Sequence, residues 1–255
     1  MLLELRGVSR RFGGLQAVAD LSMTVARSAI HGLIGPNGAG KSTVFNLITG
    51  VIPLTTGQIF FKGDRTSGLR PSEICRRGIA RTFQATTLFR EYTVLQNVLV
   101  AAHLAAAPGL ASALFWSRAY REREQRARER GQALLDGLGL GSVAGRVAGT
   151  LPHRDQKALA LAMVLATGAE LVILDEPMAG LAEQEKAETT SVLRRLRGDG
   201  VTVLLVEHDM KAVMGVCDTV TVLDHGLRIA EGTPREIQTN PAVIEAYLGA
   251  EEPGA

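Results

Sequence analysis

Residues 35–43 read GPNGAGKST and fit the spacing GxxxxGK[ST]. Gly35, Gly38 and Gly40, with Pro36, Asn37 and Ala39 between them, let backbone N–H groups turn inward around a polyphosphate. Lys41 can reach β- and γ-phosphates and the Ser42 hydroxyl can ligate Mg2+. Thr43 completes the motif as the chain enters a helix whose N-terminus adds positive potential. A glycine-rich turn that only joined two elements would leave the Lys-Ser pair unexplained. Farther along, LVILDEP is a hydrophobic strand ending in Asp175 and Glu176. Asp175 at the carboxyl edge of a sheet can hold the magnesium shell, and Glu176 can polarise a water for attack on a γ-phosphate. The two segments together point to a nucleotide hydrolase rather than a small-molecule kinase. The sequence has no NKxD base-reading motif, which argues against a GTPase.

Two further polar residues follow strands. Gln84 comes after the strand-like GIARTF and His208 after VTVLLVE. A parallel sheet would bring both out beside the nucleotide. Either residue alone would pass for an ordinary surface or capping residue; their position after strands favours the site.

These residues need elements to place them. AIHGLI, Ala29 to Ile34, precedes the glycine loop as a buried strand. KSTVFNLIT follows as an amphipathic helix with Val44, Leu47 and Ile48 on one face and Gly50 as its stop. Leu3 and Leu5, then Leu21, Met23 and Val25, alternate with polar neighbours, and Gln58 to Lys62 is a short β-prone run. These predict half-buried antiparallel strands. ELVILDEP and VTVLLVEH are apolar at nearly every position, as in parallel strands covered on both faces. A final hairpin, TVTVLDHG and LRIAEG, leads into TPREIQ, a short helix with Thr233 as N-cap and Pro234 at its first position. Residues 85–166 read as an inserted helical block. Within it Glu122 precedes Arg126 and Glu124 precedes Arg128 at i,i+4 spacing, which predicts a solvated helix face.

Composition narrows the class. The 255 residues carry 28 basic and 26 acidic side chains, with 46% hydrophobic and 4% aromatic residues. No basic block with interleaved aromatics marks a nucleic-acid groove, so nucleic acid is not expected as a partner. The longest apolar stretch, Ala158 to Ala166, is about half of what a membrane span needs. Glu4 falls too early for a secretory signal, and the expected location is inside the cell. Cys75 and Cys217 lie far apart, which excludes a disulfide framework or structural zinc site.

The chain resembles the nucleotide-binding subunit of an ABC transporter, of the branched-chain amino-acid importer type, over nearly its whole length. The matching parts are FGGLQAVADLS, GLIGPNGAGKSTVFNLITG, GIARTFQATTLFREYTVLQNVLVA, LVILDEPMAGL, VEHDM and AYLGA. The resemblance implies an α/β P-loop NTPase with a mainly parallel core sheet, an N-terminal antiparallel β subdomain and an inserted helical subdomain. Residues 1–84 and 167–248 would form the core with its β subdomain, 85–166 the helical subdomain and 249–255 a tail. ATP and Mg2+ would be the cofactors. By resemblance Phe12 stacks on adenine, Gln84 senses Mg2+ and the membrane partner, Glu176 is the catalytic base and His208 contacts the γ-phosphate. A core aromatic at the sheet edge is the other reading of Phe12. The partners implied are a second ATPase subunit and a permease touched through Gln84 to Tyr92, placing the chain peripherally on the cytoplasmic face of the inner membrane.

In this family each ATP lies between the phosphate loop of one subunit and a signature, commonly LSGGQ, of the other. Here that segment reads LPHRDQK, so Pro152, His153, Arg154 and Asp155 would face ATP in trans. Pro152 offers neither hydroxyl nor N–H, although it suits the first turn of a helix. Arg154 stands where glycine lets the backbone approach phosphate, its positive charge compensating in part. Losing one such donor costs about a hundredfold in rate, so the composite site using this signature is expected to be slow or inactive. Ala182 replaces the Asp or Asn that many members place there. The pattern favours a heterodimer with a cassette carrying an intact signature over a homodimer with two poor sites. A nucleotide-binding regulatory module with little hydrolysis is the alternative. A soluble DNA-repair or translation protein would bring a long coiled-coil insertion or tandem cassettes.

Overall fold

The computed structural model of the chain describes residues 1–82, 88–106, 118–207 and 209–248, without the side chains of 104–106, 118–120 and 248. Gln84, His208 and the tail 249–255 lie outside the described residues. Two compact units divide the chain, one of Met1–Ile74 with Ile173–Ala255, the other of Cys75–Val172.

In chain order the first part holds β1 (Leu3–Phe12), β2 (Leu15–Val25), β3 (Ile30–Ile34), α1 (Lys41–Ile48), β4 (Thr56–Phe61), β5 (Asp64–Arg65) and α2 (Pro71–Arg77). Next come β6 (Ile79–Arg81), α3 (Val94–Ala106), α4 (Arg118–Gly137) and α5 (His153–Ala166). The chain closes with β7 (Leu171–Asp175), α6 (Glu183–Gly198), β8 (Thr202–Val206), α7 (Met210–Val216), β9 (Thr219–Asp224), β10 (Leu227–Gly232), α8 (Pro234–Gln238) and α9 (Pro241–Leu248).

The first unit carries two sheets. One is antiparallel, ordered β2-β1-β4-β5. Its alternation is the one expected: Leu3 faces Val25, Leu5 faces Met23 and Val8 faces Leu21, and all six are buried. A register shift between Leu5 and Val8 bulges the strand at Gly7, which sits at φ 57. The other sheet runs β10-β9-β3-β8-β7. β8, β3 and β9 are parallel, and every residue of β3, β7 and β8 is buried. Each fully covered Val, Leu or Ile there contributes about 1.5–3 kcal/mol, and both faces need helices to achieve it. β10 returns antiparallel to β9. Thr233 caps α8 as expected, its N–H donating to Glu236 Oε2 at 2.7 Å and its hydroxyl receiving the Glu236 N–H at 3.4 Å.

The second unit packs α3, α4 and α5 around Val98, Leu135, Leu140, Leu151 and Leu159. The Gly78 carbonyl, beside β6, receives the N–H groups of Glu170 and Leu171 and so fastens the start of β7. Arg126 lies 3.8 Å from Glu122 and Arg128 3.4 Å from Glu124, both exposed pairs at i,i+4. That is the solvated face expected; such pairs are worth a few tenths of a kcal/mol each, about the same as in isolated helices. Cys75 and Cys217 are both free.

One buried polar network gives the first unit a pH dependence. His31 of β3 is 2% exposed, with Nε2 2.8 Å from Thr221 Oγ1. The Thr221 hydroxyl in turn donates to Glu231 Oε2 at 3.0 Å. Burial pushes His31 down to about 4, against a smaller opposing pull from Glu231. An unfolded chain takes up this proton below about 6.5 while the folded chain refuses it. Stability is therefore full at neutral pH and is lost as pH falls from about 6.5 to about 4, by up to about 3 kcal/mol from this group. Urea unfolding at pH 7.5 and 4.5 should show a smaller drop in His31→Gln than in wild type; equal drops would contradict this.

Candidate nucleotide site

β3 delivers the chain into the glycine loop at Gly35. Its φ is 149°, and a Cβ there would lie 2.0 Å from the Leu223 carbonyl oxygen, so only glycine fits. Gly40, at φ 102°, is the N-cap of α1, and a Cβ there would meet the Ala17 carbonyl oxygen at 2.5 Å. The loop thus passes directly into a helix whose first N–H groups have no intrahelical partner.

Lys41 is 7% exposed and turns back over the loop, Nζ donating to the carbonyls of Gly35 at 2.6 Å and Pro36 at 2.8 Å. Burial holds its pKa below the usual lysine range, while Glu176 and Asp175 pull the other way. Asp175 ends β7 and is 8% exposed. Glu176 follows in the left-handed region at φ 50, its N–H anchored to the Val206 carbonyl of β8 at 3.0 Å. This conformation is uncommon for a non-glycine residue and is held by the surrounding strands.

A cavity of about 510 Å3 opens over Lys41 and Glu176, with Asp175 standing behind its lining. Asn37 to Thr43 line it together with Phe12 and Glu176, all from the first unit. Phe12 is not a core residue: it is 41% exposed, and the Arg10 guanidinium stacks 4.5 Å from its ring centre. Its position follows from the hairpin, where Phe12 pairs with Leu15 across Gly13. Gly35 and Pro36 stand behind the lining and present carbonyls to Lys41.

The signature segment lies in the second unit. Pro152 is the N-cap of α5, with extended ψ of 154°, and its carbonyl receives the Gln156 N–H at 3.0 Å. That corrects the first-turn placement by one position. Pro152 supplies no side-chain cap, while His153 and Arg154 are exposed and Asp155 stands in the first turn. Ala182 is the N-cap of α6; Glu185 accepts its N–H at 2.9 Å, but alanine offers no acceptor in return.

Residues 18–179 match the family of ABC transporters, and residues 228–253 match a branched-chain amino acid ATP-binding cassette transporter family. The chain belongs to the ABC transporter family. The high-affinity branched-chain amino acid transport ATP-binding protein LivG of Salmonella typhimurium is 44% identical over 249 residues, 97% of this chain and 98% of that protein. Its counterpart BraF of Pseudomonas aeruginosa is 42% identical over the same lengths. An ADP-bound ATP-binding cassette of an ABC transporter superposes with a TM-score of 0.85 at 29% identity, covering 97% of this chain and 98% of that one. The fold is that of an ABC ATPase, and as a member of this family the chain binds ATP and hydrolyses it to power transport. Among the described residues no helix is long and apolar enough to cross a membrane.

Three features of this ABC cassette escape reading along the chain. Glu207, 3% exposed, accepts the Met178 N–H at 2.5 Å and so braces the turn that follows Glu176. Asp209 caps α7 through the N–H groups of Lys211 and Ala212, and Lys186 reaches it at 2.6 Å. Tyr247 on α9 stands beside the Gly35 backbone at the mouth of the phosphate loop; burial pushes that phenol up and the backbone pulls the other way. Asp209 had a local signal, an aspartate just before a helix, and Glu207 ends an apolar strand, but the partner each one meets depends on which segment lies opposite.

Proposed function

We propose that this chain is the ATP-hydrolysing subunit of an importer for branched-chain or other hydrophobic amino acids. The observation that carries the proposal is the single cavity in which the Asn37–Thr43 loop, Phe12 and Glu176 meet. The cargo class rests on the names of the relatives, LivG and BraF.

In this reading Gly35 to Gly40 present N–H groups to the polyphosphate, Lys41 leaves its loop carbonyls to neutralise the β- and γ-phosphates, and Phe12 stacks on adenine. Glu176 takes the proton of the attacking water. His208 contacts the γ-phosphate, and Gln84 links the ion to the membrane partner. Mg2+ would be held by Ser42, Asp175 and Gln84, and when bound it neutralises charge building on the phosphates. The oxygen donors of Ser42 and Asp175 suit that ion. Among the described residues no three His, Cys, Asp or Glu side chains converge on a site. The ion would therefore share its shell with the nucleotide and water, as Mg2+ commonly does.

The helical subdomain, residues 85–166, would meet the permease through Gln84 to Tyr92 and keep the chain peripheral at the cytoplasmic face of the membrane. Phe89 and Tyr92 support this: their rings stack 5.5 Å apart and are 44% and 46% exposed. Asn97, fully buried, holds the turn by bonding both the N–H and the carbonyl of Phe89. Pro152 without an acceptor and the exposed Arg154 favour pairing with a second cassette that carries an intact signature.

ATP hydrolysis by the purified chain, alone and mixed with such a cassette, tests the pairing. Alone it should be slow, and Pro152→Ser with Arg154→Gly should raise its rate about a hundredfold. In the mixture one competent site already turns over, so the same reversion should add no more than about twofold, the contribution of a second equal site. A wild-type chain that is fully active alone would refute the heterodimer. A mixture that stays inert while the reversion hydrolyses ATP would make the chain a nucleotide-binding regulatory module.

A further inference from the structure

The hairpin between β9 and β10 turns on His225 and Gly226, both left-handed, at φ 43 and 80. A two-residue turn with positive φ at both positions selects Asn-Gly, Asp-Gly or Gly-Gly, because asparagine, aspartate and glycine enter that region with least strain. Histidine is the poorer choice for the backbone. It is not buried, and packing does not require it: its side chain is 92% exposed, and the nearest carboxylate, Asp224 Oδ1, lies 3.7 Å from Nε2.

What the turn does require is its place against the cavity. The Gly226 N–H donates to the Ala39 carbonyl of the phosphate loop at 3.0 Å, and the Gly226 carbonyl receives the Ala19 N–H at 2.8 Å. A Cβ on Gly226 would meet the Ala17 carbonyl oxygen at 2.8 Å, so the tip is pressed onto β2. Held in this way, His225 is among the residues that line the cavity, its side chain largely open to solvent and so free to meet a bound nucleotide. Its neighbour Gly226 is bonded to Ala39 and pressed on Ala17, both of which line the same cavity as Phe12, Lys41 and Glu176.

We infer that His225 is a nucleotide-contacting residue whose imidazole donates a hydrogen bond to the sugar and α-phosphate segment of the bound nucleotide. The inference rests on the reading of the cavity as the ATP site and adds a contact to it. Because the segment is common to ATP and ADP, the contact strengthens both alike, by about tenfold for one bond to a charged oxygen.

The test is calorimetric titration of the full chain, wild type, His225→Asn and His225→Gly, with ATP and with ADP, beside thermal unfolding without nucleotide. Asparagine and glycine suit the turn, so both variants should unfold at or above the wild-type temperature while binding ATP and ADP about tenfold more weakly. A residue that served only the turn would leave both affinities within twofold of wild type, and that result overturns the inference. A loss confined to ATP overturns it as well, since the contact would then lie at the γ-phosphate. Lys41→Ala separates the two levels: if wild type binds ATP and that variant does not, the cavity reading stands whatever His225 does. If wild type binds neither nucleotide, the reading and the inference fall together.

Discussion

Glu176→Gln should lower ATP turnover about 10³-fold while leaving ATP affinity within about threefold of wild type. The substitution keeps the length of the side chain and its hydrogen-bonding capacity and removes only the ability to accept a proton. The backbone that aims it stays in place, since the Glu176 N–H is held by Val206 and the following turn by the buried carboxylate of Glu207. Removing a negative charge beside the phosphates also works against any loss of binding. Single-turnover hydrolysis, measured on the chain alone and mixed with a second cassette and paired with calorimetric titration of ATP, separates the two effects. A fall in turnover of less than about tenfold would remove Glu176 from the role of base and move the proton to another group.

Lys41→Ala acts one step earlier. The ammonium group is nearly buried and is the positive side chain enclosed by the loop, tied to the carbonyls of Gly35 and Pro36. Without it a bound polyphosphate would place its charge against the carboxylates of Asp175 and Glu176 with no side-chain cation from the loop. Breaking a buried charge pair costs about 3–5 kcal/mol, so ATP affinity should fall by about 10²–10³-fold or more. Lys41→Arg should not restore it, because a wide planar fork does not replace a compact ammonium in a closed loop. The folded state should survive both changes, with thermal unfolding shifted by a few degrees at most, about the effect of one lost hydrogen-bonding side chain. ATP affinity within about threefold of wild type would sink the assignment of Lys41 to the phosphates.

Much of this protein is written in short stretches of chain. The phosphate loop is legible because its conformation is steric and local: Gly35 and Gly40 take φ values and close approaches that a Cβ forbids, and the lysine and serine follow at fixed spacing. The strands β3, β7 and β8 are legible because burial on both faces demands unbroken apolar runs. Thr233 before Pro234 announces the start of α8 for the same kind of reason, a bond between residues three apart. One boundary is off by a position, since Pro152 suits an N-cap as readily as a first turn, and the carbonyl partner at Gln156 decides between them.

Tertiary structure alone decided the rest. The hairpin turn and Arg10, two residues away, place the Phe12 ring locally, but that it walls a cavity follows only from the phosphate loop and Glu176 lying across from it. Glu207 becomes a brace because β8 runs beside β7 and ends level with the turn at Met178. Tyr247 meets Gly35, and His225 reaches the cavity rim, only because α9 and the β9–β10 hairpin are folded back onto the loop. Local sterics act within a few residues and leave their mark on residue types. Contacts between distant segments are settled by strand order and packing, so a side chain that serves them can be of almost any kind and carries no pattern of its own.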